Sequence, residues 1–252
     1  MNNSFFCALA VSLGLAACSS DSSNNKPDAQ TPDAATGVDA GADIDAHAPT
    51  TCVAAREQLM SPIDKVSTGE VITLSNADGV RTIFVDASAG GVQAQASNPR
   101  VYINLETGRR VDTTDIAALS RLDWDLAVKR PILFTNSGDA GPGQGSAVQL
   151  EGKDFDDVTA ADASSLSYAA ERFFDTECAP KLDPTNAMQT SFTGWYDYDT
   201  STSQVIPKSD AWVVRGATGK LYKVAIVSFY ANPDGSTGQA GGRYTLKIKA
   251  LQ

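Results

Sequence analysis

Near its carboxyl end the chain reads Arg243-Tyr244-Thr245-Leu246-Lys247-Ile248-Lys249. Tyr244, Leu246 and Ile248 alternate with polar or basic side chains, and successive side chains of a strand point to opposite faces. The alternation therefore predicts a strand with one face against a core and the other in water. Residues 221–230, which precede it, are apolar on both faces, and this pattern predicts a central strand.

Short apolar stretches of the same kind, separated by Gly, Asn and Asp, continue back to residue 70. They lie at Glu70–Ser75, Val80–Ala87, Val101–Leu105, Trp124–Val128 and Ala211–Arg215. Between strands, Asn76–Gly79 and Ala217–Lys220 each offer a glycine for a left-handed turn position, so both predict hairpins. Helical composition is confined to Cys52–Met60 and the alanine-rich Ala160–Phe174, where Asp162 or Ser164 would act as cap. The predicted fold class is therefore all-β, with antiparallel sheets and one or two minor helices, over residues 52–252.

The first 17 residues differ from this domain, because they form an apolar stretch that is too short to span a bilayer. The stretch ends in Leu15-Ala16-Ala17-Cys18, which resembles the lipobox of bacterial lipoproteins. The resemblance implies that residues 1–17 are a signal peptide, that cleavage precedes Cys18, and that its sulfur carries a lipid anchor in a membrane. Ser19 after the cysteine would favour the outer membrane. In one departure from the pattern, no Lys or Arg precedes the apolar run.

Residues 18–51 consist mainly of Ser, Asn, Asp, Ala, Pro and Thr, with six aspartates against one lysine. Such a segment cannot bury enough apolar surface to offset the entropy of ordering, so we expect a disordered tether. The segment also holds His47, which is the only histidine of the chain. The folded domain therefore cannot supply a Ser-His-Asp triad, a Cys-His protease site or a multi-histidine zinc centre.

The overall charge also limits the function. The chain has 30 acidic and 20 basic residues, a net charge of -10 at pH 7. A nucleic-acid binder needs a basic surface to neutralise phosphates, so this balance argues against such a partner.

Cysteine usage favours an oxidising compartment. Once Cys7 is removed with the leader and Cys18 is lipidated, Cys52 and Cys178 remain as an even pair. In an exported protein such a pair predicts a disulfide. A metal site would need a Cys-x-x-Cys spacing or nearby histidines, and the sequence has neither.

Candidate catalytic residues are few. Asp123 with Asp125, and Asp197 with Asp199, have strand spacing and could serve a glycosidase. Solvated or turn-forming acids are the simpler interpretation, so we predict no catalytic residue, no metal site and no enzyme activity. The glycine-rich run Gly138–Gly145 lacks the Gly-Lys-Ser/Thr of a phosphate-binding loop. A flexible connection to a strand at 146–150 fits it better.

Aromatic residues crowd the segment 192–198, and others follow at Trp212 and Tyr230. The crowded ones are Phe192, Trp195, Tyr196 and Tyr198. These side chains could line a groove for a planar or sugar ligand, or they could be core residues of a sandwich. The sequence leaves both interpretations open.

Two motifs have a distinctive order: Trp124-Asp125-Leu126-Ala127-Val128-Lys129-Arg130, and the hairpin that begins Trp212-Val213-Val214-Arg215-Gly216. With Val101–Gly108 before them and Gly242–Thr245 after them, they resemble the HmuY-like family of haem-binding bacterial lipoproteins. The resemblance covers the chain from about residue 70 onward and implies a β-sandwich that is exported and lipid-anchored. It also implies haem or porphyrin as cofactor and an outer-membrane receptor as partner.

The haem ligands of the family are where this chain departs from the pattern. In relatives that use two histidines, one of them precedes the arginine of the first motif, and here that position is Lys129. Met188 is the only thioether near the expected second ligand. The sequence thus supports two hypotheses: haem capture through Lys129 and Met188, or the same fold with haem binding lost. In the second case the domain would be a surface interaction module for another hydrophobic ligand, a protein or a glycan.

Overall fold

The structure, a computed structural model, describes residues 52–251. Three short helices are present there, α1 Val53–Met60, α2 Asp115–Ala118 and α3 Ala160–Ser164. The strands are β1 Val71–Ala77, β2 Val80–Asp86, β3 Val101–Asn104, β4 Arg109–Val111, β5 Leu126–Lys129, β6 Ile132–Thr135, β7 Ser146–Leu150, β8 Tyr196–Asp199, β9 Gln204–Pro207, β10 Ala211–Arg215, β11 Leu221–Ser228 and β12 Arg243–Ala250. Short 3-10 turns lie at Gln95–Ser97 and Phe155–Asp157.

The strands form a sandwich of two antiparallel sheets. The larger sheet has the order β1-β2-β12-β11-β10-β7, the smaller has the order β4-β3-β5-β6, and β8 and β9 pair separately. Alternate side chains of both sheets, such as Ile83 and Leu246 from the larger and Ile103 and Leu126 from the smaller, meet in one buried cluster. This inter-sheet core confirms the predicted all-β class.

The strands with clear alternation were predicted correctly. The β11 strand lies between β12 and β10, which confirms its central position. In the β1–β2 hairpin Asp78 and Gly79 have φ angles of 54° and 74°, the left-handed pair that a two-residue turn requires. The polar face of β12 is less exposed than predicted, because Thr245 is buried and Lys247 lies over the Phe155 ring.

A second apolar cluster covers the face of the smaller sheet that points away from the inter-sheet core. We call it the outer-face cluster, and its buried members are Met60, Tyr102, Ala118, Trp124, Ala127, Phe134, Ala140, Phe173 and Phe174. The α1 helix packs on it through Ala55 and Leu59. Thus α1 and the residues around Phe173 form a layer over the smaller sheet.

The prediction of a helix over Ala160–Phe174 was wrong beyond Ser164. The helix starts from a capping box in which the Thr159 hydroxyl accepts from the Asp162 N–H, so Thr159 is the cap. Further along, the N–H of Glu171 donates to the Ser137 hydroxyl at 3.0 Å and that of Phe173 to the Asp139 carboxylate at 2.7 Å. These contacts hold the segment extended, so tertiary packing outweighs the helix propensity of the alanines.

The glycine-rich run Gly138–Gly145 is a packed connection, contrary to the flexible one that we predicted. A Cβ at Gly141 would lie 2.2 Å from the side-chain oxygen of Asn136, and one at Gly143 would lie 2.9 Å from Ala217. The glycines therefore allow a close approach of two chain segments. The strand expected after them is present as β7.

Several predictions fall on residues outside the described part of the chain. They are the signal peptide 1–17, lipidation of Cys18, the tether 18–51 and His47 within it. In the described residues, 52–251, no helix has the length and apolar character needed to cross a membrane.

Candidate ligand-binding site

Lys129 lies at the last position of β5, on the face of the smaller sheet that carries the outer-face cluster. Ala127, two residues earlier on the same face, is a buried member of that cluster, and Ile132, paired with Lys129 across the hairpin, packs against it. Lys129 itself is half-buried. The position therefore places an amine beside an apolar surface.

The hairpin that follows Lys129 is fixed to other parts of the fold. Arg130 has a left-handed φ of 52°, its N–H donates to the Ala87 carbonyl at 2.8 Å, and its carbonyl accepts from the Tyr244 hydroxyl at 2.5 Å. The indole N–H of Trp195 donates to the Pro131 carbonyl at 2.9 Å. These bonds, from the larger sheet and from the segment before β8, hold the backbone beside Lys129 in place.

The electrostatic surroundings of Lys129 make its ammonium group easier to deprotonate. Burial lowers the pKa of the Lys129 ammonium, and the charge of Arg100 lowers it further, whereas Asp115 opposes the shift. Arg100 precedes β3, and because Val101 pairs with Val128, residue 100 comes opposite residue 129. A lysine must lose its proton before its nitrogen can bind a metal ion. Burial and the charge of Arg100 both make that loss easier.

Arg100 belongs to a buried polar network centred on Asp115, which we call the Asp115 network. The Asp115 carboxylate accepts from the Arg100 guanidinium at 2.9 Å, the Tyr102 hydroxyl at 3.0 Å, and the backbone N–H groups of Arg100 and Ile63, both at 3.1 Å. Arg100 also donates to the Met60 carbonyl at 2.7 Å. The network thus joins the end of α1, β3 and α2.

The aromatic partners complete this arrangement. The Arg100 guanidinium lies 5.6 Å from the centre of the Phe134 ring. Burial raises the pKa of the Tyr102 hydroxyl well above its usual value, and the Asp115 charge acts in the same direction. Tyr102 therefore stays protonated and donates to Asp115.

Met188 is half-buried and lies in the segment after Cys178, where Leu182 and Met188 form an isolated antiparallel bridge. It packs against the outer-face cluster. The structure therefore places both predicted ligand residues, Lys129 and Met188, at the margin of one apolar cluster, although they come from different segments.

Cys52 and Cys178 are joined by a disulfide, as the cysteine pattern predicts, with their Cα atoms 5.2 Å apart. Cys52 is the residue before α1, and Cys178 begins the segment that leads to Met188. The bond therefore ties the helix on the outer-face cluster to the segment that carries the second predicted ligand.

The paired aspartates have structural roles. Asp125 is buried, and its two oxygens accept from the N–H groups of Leu105 at 2.7 Å and Ala217 at 2.8 Å. Burial raises the pKa of this carboxyl, while the two backbone hydrogen bonds lower it. Asp123, in contrast, is exposed and pairs with Arg121. Asp125 thus connects the two sheets, and the pair does not face one cleft.

The second pair lies in the β8–β9 hairpin. The Asp199 carboxylate accepts from the hydroxyls of Ser201 and Thr202, both at 2.7 Å, and these bonds hold the turn. Asp197 is exposed, with Lys208 at 4.0 Å. Within residues 52–251, no group of three or more His, Cys, Asp or Glu side chains is placed to hold a metal ion.

The structure separates the aromatic residues into two groups. Phe192, Trp195 and Trp212 are buried in the inter-sheet core, so the packing interpretation holds for them. Tyr196 is half-buried, and Tyr198 is 54% exposed. These two line an open groove of about 530 Å³ between β8 and the segment 183–185.

The two sequence motifs and the β-sandwich agree with the family that the sequence matches. A family model described as HmuY protein matches residues 96–244, more than half of the 252 residues. The chain belongs to the HmuY family. The matched part of this HmuY-family chain includes β3 to β11, the Trp124–Arg130 motif and the Trp212–Gly216 hairpin.

Solved structures from three bacteria are similar to this HmuY-family chain. A putative lipoprotein from Bacteroides fragilis is 19% identical, and the match covers 71% of this chain and 94% of that protein, with a TM-score of 0.43. A putative HmuY-like haem-binding protein from Bacteroides vulgatus is 16% identical, and the match covers 71% of this chain and 96% of that protein, with a TM-score of 0.44. An apo HmuY analogue from Tannerella forsythia is 14% identical, and the match covers 68% of this chain and 95% of that protein, with a TM-score of 0.43. No curated protein matches the chain.

The sequence did not point to Arg100 or Asp115 as part of this site. They are 15 residues apart in the chain, and neither lies in the two motifs. The one available signal was an oppositely charged pair on either side of the β3–β4 hairpin, and such pairs are common on protein surfaces. Their role follows only from burial beside Lys129.

Proposed function

We propose that this chain is a lipid-anchored binding protein of the bacterial cell envelope that captures haem or a related porphyrin through non-histidine contacts. Cys18 would carry the lipid anchor, and residues 18–51 would hold the domain away from the membrane. Membership in the HmuY family, whose resemblance implies haem capture and transfer to an outer-membrane receptor, supports the general role.

One observation carries the haem proposal. Lys129, at the position that the resemblance gives to a haem ligand, is half-buried on an apolar face with a lowered pKa. An amine there is easier to deprotonate than one at the surface. An exposed lysine is protonated at neutral pH, and the lowered pKa of Lys129 increases the fraction of its neutral amine.

The residues present fit such a cofactor in their chemistry. The neutral amine of Lys129 and the thioether of Met188 carry lone pairs that could bind haem iron. Met188 packs against the outer-face cluster, and so does Ile132, which pairs with Lys129 across the hairpin. Lys129 and Met188 would therefore hold the iron, while apolar side chains would exclude water from the macrocycle.

A spectroscopic titration with haem tests the proposal. We expect a saturable Soret shift of defined stoichiometry, and Lys129→Ala and Met188→Ala should each weaken binding at least about tenfold, or about 1.4 kcal/mol. Binding through Lys129 should strengthen as the pH rises above 7, since the free amine becomes more populated. Lys208→Ala and Val92→Ala are matched controls that should leave the affinity unchanged, because both side chains lie outside the outer-face cluster. A shift no larger than that with an unrelated acidic protein would refute the proposal and favour loss of haem binding.

The lipid anchor has a separate test. Cys18→Ser should move the protein from the membrane fraction to the soluble fraction, because the thiol that accepts the lipid is gone. Cys7→Ser, in the same leader, should leave the protein with the membranes. Membrane retention of the Cys18 variant at the level of the unmodified protein would contradict the lipoprotein assignment.

A further inference from the structure

A cavity of about 270 Å³ lies between α1 and α2, at one end of the outer-face cluster. Its walls include Met60 from α1, Ile116 and Leu119 from the α2 region, and Ala140 from the glycine-rich connection. Arg56 and Glu57, of opposite charge, also belong to its lining. Lys129 and Met188 do not belong to the lining, so neither proposed iron ligand contacts the cavity, although Arg100 lines it and also lies opposite Lys129.

The polar side chains in the lining already have partners. Asp115 accepts four hydrogen bonds, Tyr102 donates to Asp115, and Arg100 donates to Asp115 and to the Met60 carbonyl. All three side chains are buried. A space whose buried polar groups are satisfied holds water weakly, so an apolar molecule can displace that water at low cost.

The remaining surface of the cavity is apolar and partly open. Ile116 is 51% exposed, although it is a large aliphatic residue, and Leu119 is half-buried. With Met60 and Ala140 they present aliphatic and thioether groups beside the ring of Tyr102. A ligand that covered Ile116 and Leu119 would remove this apolar surface from water.

We propose that the α1–α2 cavity is a binding site for a compact, uncharged, apolar molecule of the size of a single aromatic ring with small substituents. The volume is at the lower limit of ligand sites and is too small for a porphyrin. A charged ligand would gain little, because the Arg100 and Asp115 charges neutralise each other at 2.9 Å.

Fluorobenzene is a suitable probe, because its binding can be followed by ¹⁹F NMR with the full-length oxidised protein. We expect a saturable change in the shift or width of the fluorine signal. Leu119→Trp should fill the cavity and weaken binding about tenfold or more. Val92→Trp adds the same ring at a position that is 63% exposed and outside the lining, so it should leave binding unchanged.

Additional measurements separate this site from the haem contacts and from general unfolding. The Leu119 variant should keep the thermal stability and the haem titration of the unmodified protein within error. Because α1 supplies part of the wall and is tied by the disulfide, Cys52→Ala/Cys178→Ala should also weaken fluorobenzene binding. Lack of saturable binding, or equal binding by the Leu119 and Val92 variants, would overturn the proposal, whatever the result with haem.

Discussion

Asp115→Ala should lower the free energy of unfolding by about 3–5 kcal/mol, because it removes one partner of a buried ion pair. The variant leaves the Arg100 guanidinium inside the fold without a counter-charge. It also leaves the Tyr102 hydroxyl and the N–H of Ile63 without the acceptor that they have in the native fold. Each buried donor that loses its acceptor adds a further cost of desolvation.

Urea unfolding gives the measurement, with Asp112→Ala as control. Asp112 lies three residues away and pairs with Arg110 in an exposed contact, so its loss should cost less than about 1 kcal/mol. The double variant Arg100→Met/Asp115→Leu should recover part of the loss, since it removes both charges together. If Asp115→Ala and Asp112→Ala were equally stable, the Asp115 network would not have the structural role that we assign to it.

The fold was predictable from sequence where local alternation is strong. Ala211–Arg215 was predicted with the observed bounds, and the final strand extends only one residue beyond the prediction. The β4 strand was missed because Arg109–Val111 is short and mostly polar, so it gives little period-2 signal. The β8 strand, Tyr196–Asp199, was considered only as a group of aromatics and acids, because its pairing with β9 is the main sign that it is a strand.

The candidate site was less predictable, because its chemistry depends on contacts between distant segments. Lys129 and Met188 were named through the resemblance and from residue type. The lowered pKa of Lys129 depends on burial and on Arg100, which no local pattern shows. The same limit explains the overlong helix, since the contacts of Glu171 and Phe173 with residues 137 and 139 are invisible in the segment 160–174 itself.

Removal of the disulfide by Cys52→Ala/Cys178→Ala should lower the free energy of unfolding by about 3–4 kcal/mol. The two cysteines are 126 residues apart, and closing so long a loop in the unfolded chain corresponds to about 5 kcal/mol of entropy. Both cysteines have left-handed φ angles, 65° and 63°, which cost about 1 kcal/mol each for residues other than glycine. Part of this strain is released when the bond is lost, so the net effect is smaller than the entropy alone.

Beyond this global loss, local opening should increase most in α1. This helix has eight residues, no side-chain cap at its amino end and one buried side chain, Met60. A helix of this length is not stable alone in water, so the disulfide and the packing of Ala55, Leu59 and Met60 are its main supports. Hydrogen exchange in the double variant should therefore be fastest in 53–59, which open locally, whereas β11 and β12 should lose only the protection that corresponds to the 3–4 kcal/mol fall in global stability. Reduction of the unmodified protein should reproduce both effects, and protection of α1 that survived reduction would show that the helix is held by packing alone.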